Sequence, residues 1–543
     1  MIFLTLEKLL KLNKVFIILI ALTTLFSCAR RGNPTGGPKD ITPPKLLRAT
    51  PDTLSTNVPV DLKEIRLTFD ELVQLRDYTK NVLISPPVEP SPTFSPIGTP
   101  SREVKVKFNE HLKKNTTYTI NFGKSIVDNN ESNPFSYFTY VFSTGPRIDS
   151  LQLVGAVQDL TSKKPEQGLI AALYEIDSAY TDSLVFKEKP YYIAKLDSTQ
   201  TYHFKYLKPG KFRLVAFNDK IPNSKIDLKQ EKMAFADTII DTRKISTAPM
   251  LYLFEPPQDF RYLDAKQNGY GRIDFYVTGK PKDLKVIPTD ERFSETLTIH
   301  KPYSDTLQFY FNPKKVELER RTRLRFLLAH DGVSDSIPTI LYDNSAKAGL
   351  KITERKLNYV PGKNYILDAD YPIDTINKDS ISVKIDTMKL AFDVERVNEK
   401  RFKLKFPIKF EKNYKIELLP GAFTDWTGNK NDSTSFSFST QKERDYGNLK
   451  LTIQNKPTHK FWLKLYDAND KEIESIYSDN SVFEFKYLLP QKYYFKLMVD
   501  ENENRRYDSG NIFLLRQPEK VYVYSQEIDV KPFWDINETW VLP

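Results

Sequence analysis

The stretch whose residue types and spacing come nearest to chemistry runs from Asp500 to Asn511. Asp500, Asn502, Asn504 and Asp508 put side-chain oxygens at positions 1, 3, 5 and 9 of the loop. That is the alternation by which a short loop wraps oxygens around calcium. Two residues depart from it: Arg505 stands where the tight turn uses glycine, and Asn511 where a bidentate Glu closes the shell. The segment also follows a strand pattern rather than a helix. An ion held here would bind at the weak level of extracellular modules, with Kd about 10⁻⁴–10⁻³ M. The same residues equally suit a plain hairpin loop, because Asn and Asp side chains close turns against their own backbone.

Other chemistry is thinly signalled. The five histidines, His111, His203, His300, His330 and His459, include no two at metal-ligand spacing. No Gly-x-Ser-x-Gly elbow marks a nucleophile, although residue order alone leaves a Ser/His/Asp triad open. No Gly-rich phosphate loop occurs. Trp534 and Trp540 fall close together near the C-terminus, with Trp462 and the run Tyr522–Tyr524 in the same segment. They could form an aromatic platform for a sugar or a partner protein, or fill the core of a sandwich. Asp70 and Glu71 follow an alternating strand pattern and read as a turn-capping acidic pair at a strand end.

The elements that must position these residues are organised by a repeat. Phe485-Lys486-Tyr487-Leu488-Leu489-Pro490-Gln491-Lys492 has a counterpart 281 residues earlier in Phe204-Lys205-Tyr206-Leu207-Lys208-Pro209-Gly210-Lys211. The frame continues without a gap, so Asp219, Asn223 and Asp227 match Asp500, Asn504 and Asp508. A repeat of this length implies duplicated modules. With 30 Tyr, 35 Phe and more Pro (35) than Gly (19), the composition suits many short strands between Pro-marked turns. Alternation at Ile65–Phe69, Val104–Phe108, Tyr118–Phe122 and Tyr137–Phe142 predicts a half-buried antiparallel sandwich.

Charge and cysteine usage narrow the setting. The net charge is +10, and removing residues 1–27 leaves about +8. Spread over some 500 residues, with no Lys/Arg stripe, this excludes a nucleic-acid interface as the organising feature. A single cysteine excludes an intrachain disulfide. Three lysines precede a 12-residue apolar run, Val15–Phe26, which is too short to span a bilayer comfortably and fits a signal-peptide core. Leu25-Phe26-Ser27-Cys28 follows at once and resembles a bacterial lipobox. The resemblance implies diacylglycerol on the Cys28 thiol, and two or three acyl chains at ~0.8 kcal/mol per buried methylene make a durable anchor. Ala29 stands where an inner-membrane retention aspartate would be, which points to the outer membrane. Residues 29–46, rich in Gly and Pro, read as a flexible tether.

The tether also begins a family resemblance. Pro34-Thr35-Gly36-Gly37-Pro38-Lys39-Asp40, Thr42-Pro43-Pro44, Ile65-Arg66-Leu67-Thr68-Phe69-Asp70-Glu71, Asn115-Thr116-Thr117-Tyr118, Asp128–Asn133 and Phe142-Ser143-Thr144-Gly145 resemble Bacteroidota lipoproteins with a bacterial Ig-like (SbsA-type) domain. This implies an envelope location and a β-sandwich, without a known reaction. The Phe204–Phe217 frame looks like a transthyretin-like or carboxypeptidase-regulatory sandwich. Repeated Asp-(Ser/Thr)-aliphatic triplets, such as Asp182-Ser183-Leu184, resemble an acceptor motif for O-glycans in exported proteins of that phylum.

The expected fold is all-β: tandem β-sandwich modules, Ig-like and transthyretin-like, behind a lipoprotein signal peptide. The expected organisation is a signal peptide at 1–27 and a tether at 28–46, then an Ig-like domain at 47–146 and a transthyretin-like module at 147–240. A β-rich domain at 241–345, a second Ig-like domain at 346–445 and a second transthyretin-like module at 446–543 follow. Such a series reads as a rod or an arch. The function expected is that of a non-catalytic outer-membrane lipoprotein serving as scaffold or accessory subunit of an envelope complex, with a protein partner in that membrane. A surface adhesin or polysaccharide-binding lipoprotein is the alternative, and an envelope hydrolase the third. Calcium and glycan are the only small partners the sequence suggests.

Overall fold

A computed structural model describes residues 40–162, 165–316, 318–343, 349–524 and 526–543. Cys28, the leader and most of the tether lie outside the described residues. The described chain is nearly all strand, with helical turns of only three or four residues. It divides into two compact units between Ile148 and Asp149.

The first unit is one sandwich. One sheet orders the strands Leu46–Thr50, Glu64–Leu75, Ser101–Lys107 and Thr93–Ser95, and the facing sheet orders Leu83–Ser85, Thr117–Asn121 and Thr139–Ser143. Alternate residues Ile65, Leu67 and Phe69 point inward and are buried, as period-two patterning requires. The Asp70-Glu71 pair does not end its strand as expected. The strand runs on to Leu75: after a register shift beyond Thr68 it pairs again with Ser101 at Val73, and Val73–Leu75 also pair with Ile126–Asp128. Asp70 sits at that shift, where its carboxylate and its N–H both bond the backbone of Lys45.

The second unit holds four modules. In the first of them, Leu151–Gln158 lies between Thr201–Leu207 and Leu251–Tyr252. Its second sheet orders Tyr192–Lys195, Leu169–Glu175, Lys211–Asn218 and Met233–Phe235. The expected boundary at residue 240 therefore falls short. Leu251–Tyr252 pairs in parallel with Val157–Gln158 and completes the module's sheet. Gly447–Val541 repeats this topology strand for strand, down to the parallel pairing of Asp535–Val541 with Gly447–Gln454.

Between these two copies lie two further sandwiches. Residues 261–341 form a four-stranded and a three-stranded sheet around Phe275, Phe293, Phe309 and Phe326, which meet largely edge-to-face. Residues 352–439 follow the topology of the first unit, with its long strand split into Tyr365–Ala369 and Ile373–Ile376 and with Met388–Lys389 added beside Ile381–Ile385. The likeness reaches single hydrogen bonds. Lys113 N–H donates to the Tyr118 hydroxyl as Lys409 N–H does to Tyr414, and Thr144 and Thr440 each bond the backbone at two matching positions. Lys400 joins this module to the preceding one, donating to Gln308 at 2.8 Å and Tyr310 at 3.2 Å.

The two copies of the duplicated module, far apart in sequence, pack on each other. Strands Leu169–Glu175 and Lys211–Asn218 are buried on both faces, a pattern seen when a sheet is covered twice. Their inner face holds Leu173, Phe212 and Leu214; their outer face holds Ile170, Ala172, Val215 and Phe217 with Met233, Phe235 and Phe254. Into that outer face the second copy inserts Ile512. Polar bonds frame the junction: Lys496 Nζ to Thr161 O at 2.8 Å, Gln517 to Phe235 O at 3.0 Å, and Ser509 to Glu255 O at 2.8 Å.

Candidate functional site

The sequence places its nearest approach to chemistry at Asp500–Asn511, and the structure shows what those oxygens do. Asp500 ends the strand Lys492–Val499 and is fully buried. One carboxylate oxygen accepts from Asn504 N–H at 3.0 Å; the other accepts from Arg505 N–H at 2.7 Å and from the Tyr477 hydroxyl at 2.8 Å. Burial and the bond to Asp500 push the Tyr477 hydroxyl up to about 12. The Asn502 and Asn504 side-chain oxygens accept from Asn504 and Arg506 N–H, and their amide nitrogens both donate to Asp508. Glu519, itself buried, accepts from Glu501 N–H at 2.9 Å and Asp508 N–H at 2.8 Å. Burial pushes its carboxyl up, against the pull of those two bonds.

The first copy does the same work. Asp219 accepts from Asn223 and Ser224 N–H at 3.2 and 3.1 Å, and Asn223 accepts from Lys225 N–H. Glu231 accepts from Lys220 N–H at 2.9 Å and Asp227 N–H at 2.8 Å. Ser224 and Arg505 occupy the same left-handed position, φ +58° and +64°. The repeated Asp–Asn–Asp frame is thus a carboxylate-capped loop, in which acids satisfy backbone N–H groups that a turn would otherwise leave unpaired.

This arrangement does not fit calcium. A calcium shell needs six to eight oxygens facing one point. Both oxygens of Asp500 face N–H or O–H donors, and the amide nitrogens of Asn502 and Asn504 face Asp508. Asn511 caps the next turn, accepting from Phe513 and Leu514 N–H. Among the described residues no group of three or more His, Cys, Asp or Glu side chains could hold a metal ion.

The two tryptophans part company. Trp540 is a core residue, 6% exposed and packed edge-on against Tyr524, so it is no part of an aromatic platform. It lies on the strand that closes the last module's sheet, where the inward alternation buries it. Trp534 is 55% exposed beside Phe533, with the Lys531 ammonium 5.2 Å from its ring. No convergence of histidines occurs among the described residues: His203 bonds Gln152, and His330 stacks on Phe260.

Residue-by-residue reading missed three participants. Glu231 and Glu519 lie 12 and 19 residues after their aspartates, so the ungapped frame that ends at Asp508 hides their equivalence. The extra residues form the segment Ser509–Arg516, which carries Ile512 into the first copy. Gly510 admits it: a Cβ there would meet the Phe254 ring at 2.6 Å. The junction also walls a cleft of about 810 Å3, lined among others by Lys229, Lys232, Lys280 and Arg506. The Arg506 guanidinium lies 3.6 Å over the Tyr303 ring, and Lys232 pairs with Asp159 at 2.6 Å.

Residues 40–144 match a family model described as the bacterial Ig-like domain. The first unit is a bacterial Ig-like domain. No curated protein matches the chain. Among solved structures it is similar to an L,D-transpeptidase from Mycobacterium smegmatis, at 14% identity over 25% of this chain and 55% of that one, TM-score 0.14. The chain thus spans about half the length of that protein. It is also similar to domains 1–6 of the surface layer protein SbsC, at 10% identity over 90% and 67% of the two chains, TM-score 0.15. The BSP domain of a biofilm associated protein is similar at 8% identity over 92% and 97%, TM-score 0.15. Scores of this size carry no argument, so function rests on the geometry above.

Proposed function

We propose that this chain is a non-catalytic envelope lipoprotein, acylated at Cys28 and held at the outer membrane, that serves as a scaffold or accessory subunit of a membrane complex. The observation that carries the reading is the closure of the second duplicated module on the first. Loops whose polar groups are committed to their own backbone, joined by a buried isoleucine and three side chain-to-backbone bonds, make a stiff platform. Under this reading the duplicated modules are transthyretin-like spacers, and the Ig-like domain stands next to the tether in sequence. Affinity purification of the native protein from solubilised outer membranes tests it. A membrane protein recovered at fixed stoichiometry is the expected result; recovery of this chain alone would count against it. Cys28→Ser should leave a protein that a high-salt and carbonate wash strips from the membrane pellet, whereas the acylated protein should need detergent.

A second reading, binding of a glycan, is favoured only by Trp534 and Phe533, which are exposed side by side near Lys531. Glycan-array binding abolished by Trp534→Ala would support it. Trp540→Ala serves as the contrast, since loss there reports unfolding of the module.

A further inference from the structure

The segment Ser509–Arg516 has no counterpart in the first copy, and its docking explains only part of it. Ile512 is 2% exposed and anchors the segment, yet Phe513, Leu514 and Leu515 are 54%, 69% and 45% exposed. Three consecutive bulky apolar side chains in water are uncommon on a soluble surface. The chain holds them there firmly. The Asn511 side chain caps the turn, Arg516 and Asn511 exchange backbone bonds at 2.9 and 2.7 Å, and Leu515 adopts a left-handed φ of +49°. A left-handed leucine is sterically costly. The flank is apolar and carries two cations. Phe186 lies with its ring centroid 5.1 Å from that of Phe513, Lys187 follows it ahead of the exposed Glu188, and Arg516 closes the segment with one guanidinium nitrogen donating to Ser509 O at 3.4 Å. Among the described residues neither Lys187 nor Arg516 pairs with a carboxylate, and no acid occurs from Ser509 to Arg516.

We propose that the Phe513-Leu514-Leu515 turn is a membrane-seated tip, entering the headgroup and upper acyl region of an anionic lipid surface while Lys187 and Arg516 meet the lipid phosphates. The size of the patch favours lipid over protein. A stable protein interface buries about 1,200–2,000 Å2 in total, whereas three side chains on a convex turn offer only a few hundred. A bilayer needs no shape complement, and binding scales with apolar area plus attraction between cations and anionic lipid. The contact is made by side chains, so it does not depend on acylation of Cys28.

The test uses the mature chain, residues 28–543, carrying Cys28→Ser, which lacks the apolar leader, the acyl site and the native thiol. Leu514→Cys is labelled with an environment-sensitive fluorophore and mixed with vesicles of phosphatidylethanolamine and phosphatidylglycerol containing brominated lipid. Blue-shifted emission quenched by the brominated chains is expected at 514. The same label at Met388→Cys, which is also exposed but lies in another module, should be unaffected. Phe513→Ser with Leu514→Ser and Leu515→Ser should abolish co-sedimentation with these vesicles. Arg516→Gln should weaken it about fivefold, and circular dichroism of both variants should keep the wild-type melt. No quenching at 514, equal quenching at 388, or capture of a protein at 514 without quenching would each overturn the proposal.

Discussion

The two carboxylate-capped loops are the same device at two depths. At Asp500 the carboxylate is fully buried and serves three donors at 3.0 Å or less. At Asp219 it is only partly buried and serves two backbone donors at 3.1 and 3.2 Å. Burial raises the Asp219 carboxyl, and bonds from Asn223 and Ser224 only partly offset this. The deeper loop also carries the Ser509–Arg516 segment that reaches the other copy. One loop frame is therefore an ordinary turn in the first copy and a joint in the second.

The comparison can be broken most directly at its acids. Asp500→Ala strands two N–H groups and a tyrosine hydroxyl in a buried site, and should cost about 3–5 kcal/mol. Asp219→Ala, with longer bonds and more solvent, should cost about 1–2 kcal/mol. Urea unfolding of both variants checks the order, and equal losses would refute the difference in depth. Next in size is the joint. Ile512→Ala empties a site in the first copy's outer core and should cost about 2–4 kcal/mol. Gly510→Val should cost a similar amount through the Phe254 clash. Hydrogen exchange should then speed up in strand Lys211–Asn218 of the first copy, although the substitution lies in the second.

A smaller effect separates Lys496 from its surroundings. Its ammonium bonds Thr161 O and lies 5.2 and 5.8 Å from the Tyr466 and Tyr494 rings. Lys496→Met keeps the stem and removes these, at a cost of about 1–2 kcal/mol. The pH dependence is subtler. Burial pushes Glu231 and Glu519 up from an ordinary 4.5 despite their N–H bonds. Each then holds a proton more readily folded than unfolded. Its contribution to stability is complete below 4.5 and declines as pH rises through the raised value. Glu519→Gln, which does not titrate, should gain on the wild type over that interval. Asp128 has the opposite sign. Burial raises it, but bonds from Asn133, Ser132 and Glu131 N–H outweigh burial and hold it low. The stability it gives is present above its ordinary 3.8 and is lost as pH falls. Smallest of all is the response to chelator. An ion at a hundred times its Kd would add about 2.7 kcal/mol, so an unchanged melt in EDTA is expected for loops closed by their own N–H groups.

Much of this was legible before the fold was known. Strand positions followed from alternation, and the Asp219/Asp500 equivalence from an ungapped repeat. The loop was left open between an ion site and a closed turn because one-dimensional spacing cannot tell an oxygen facing an ion from one facing an amide. Both use the same residues at the same intervals. Trp534 and Trp540 were not separated for a related reason: a tryptophan on a closing strand and one in the preceding turn look alike until alternation is known to bury the first. The module boundary at 240 failed because Leu251–Tyr252 is a two-residue strand, too short to show a period. The joint was invisible because an insertion ended the frame just before the residues that form it.

The joint has a consequence for how the polypeptide is made. Glu255 and Ser509 are 254 positions apart, and a chain emerging N-terminus first completes the earlier module long before Ile512 exists. Throughout that interval Ile170, Val215, Phe217 and Phe254 form a bare greasy plate in water. Nascent or half-exported chains should be stickiest in this window, and a holding chaperone would find its target there rather than on the finished molecule.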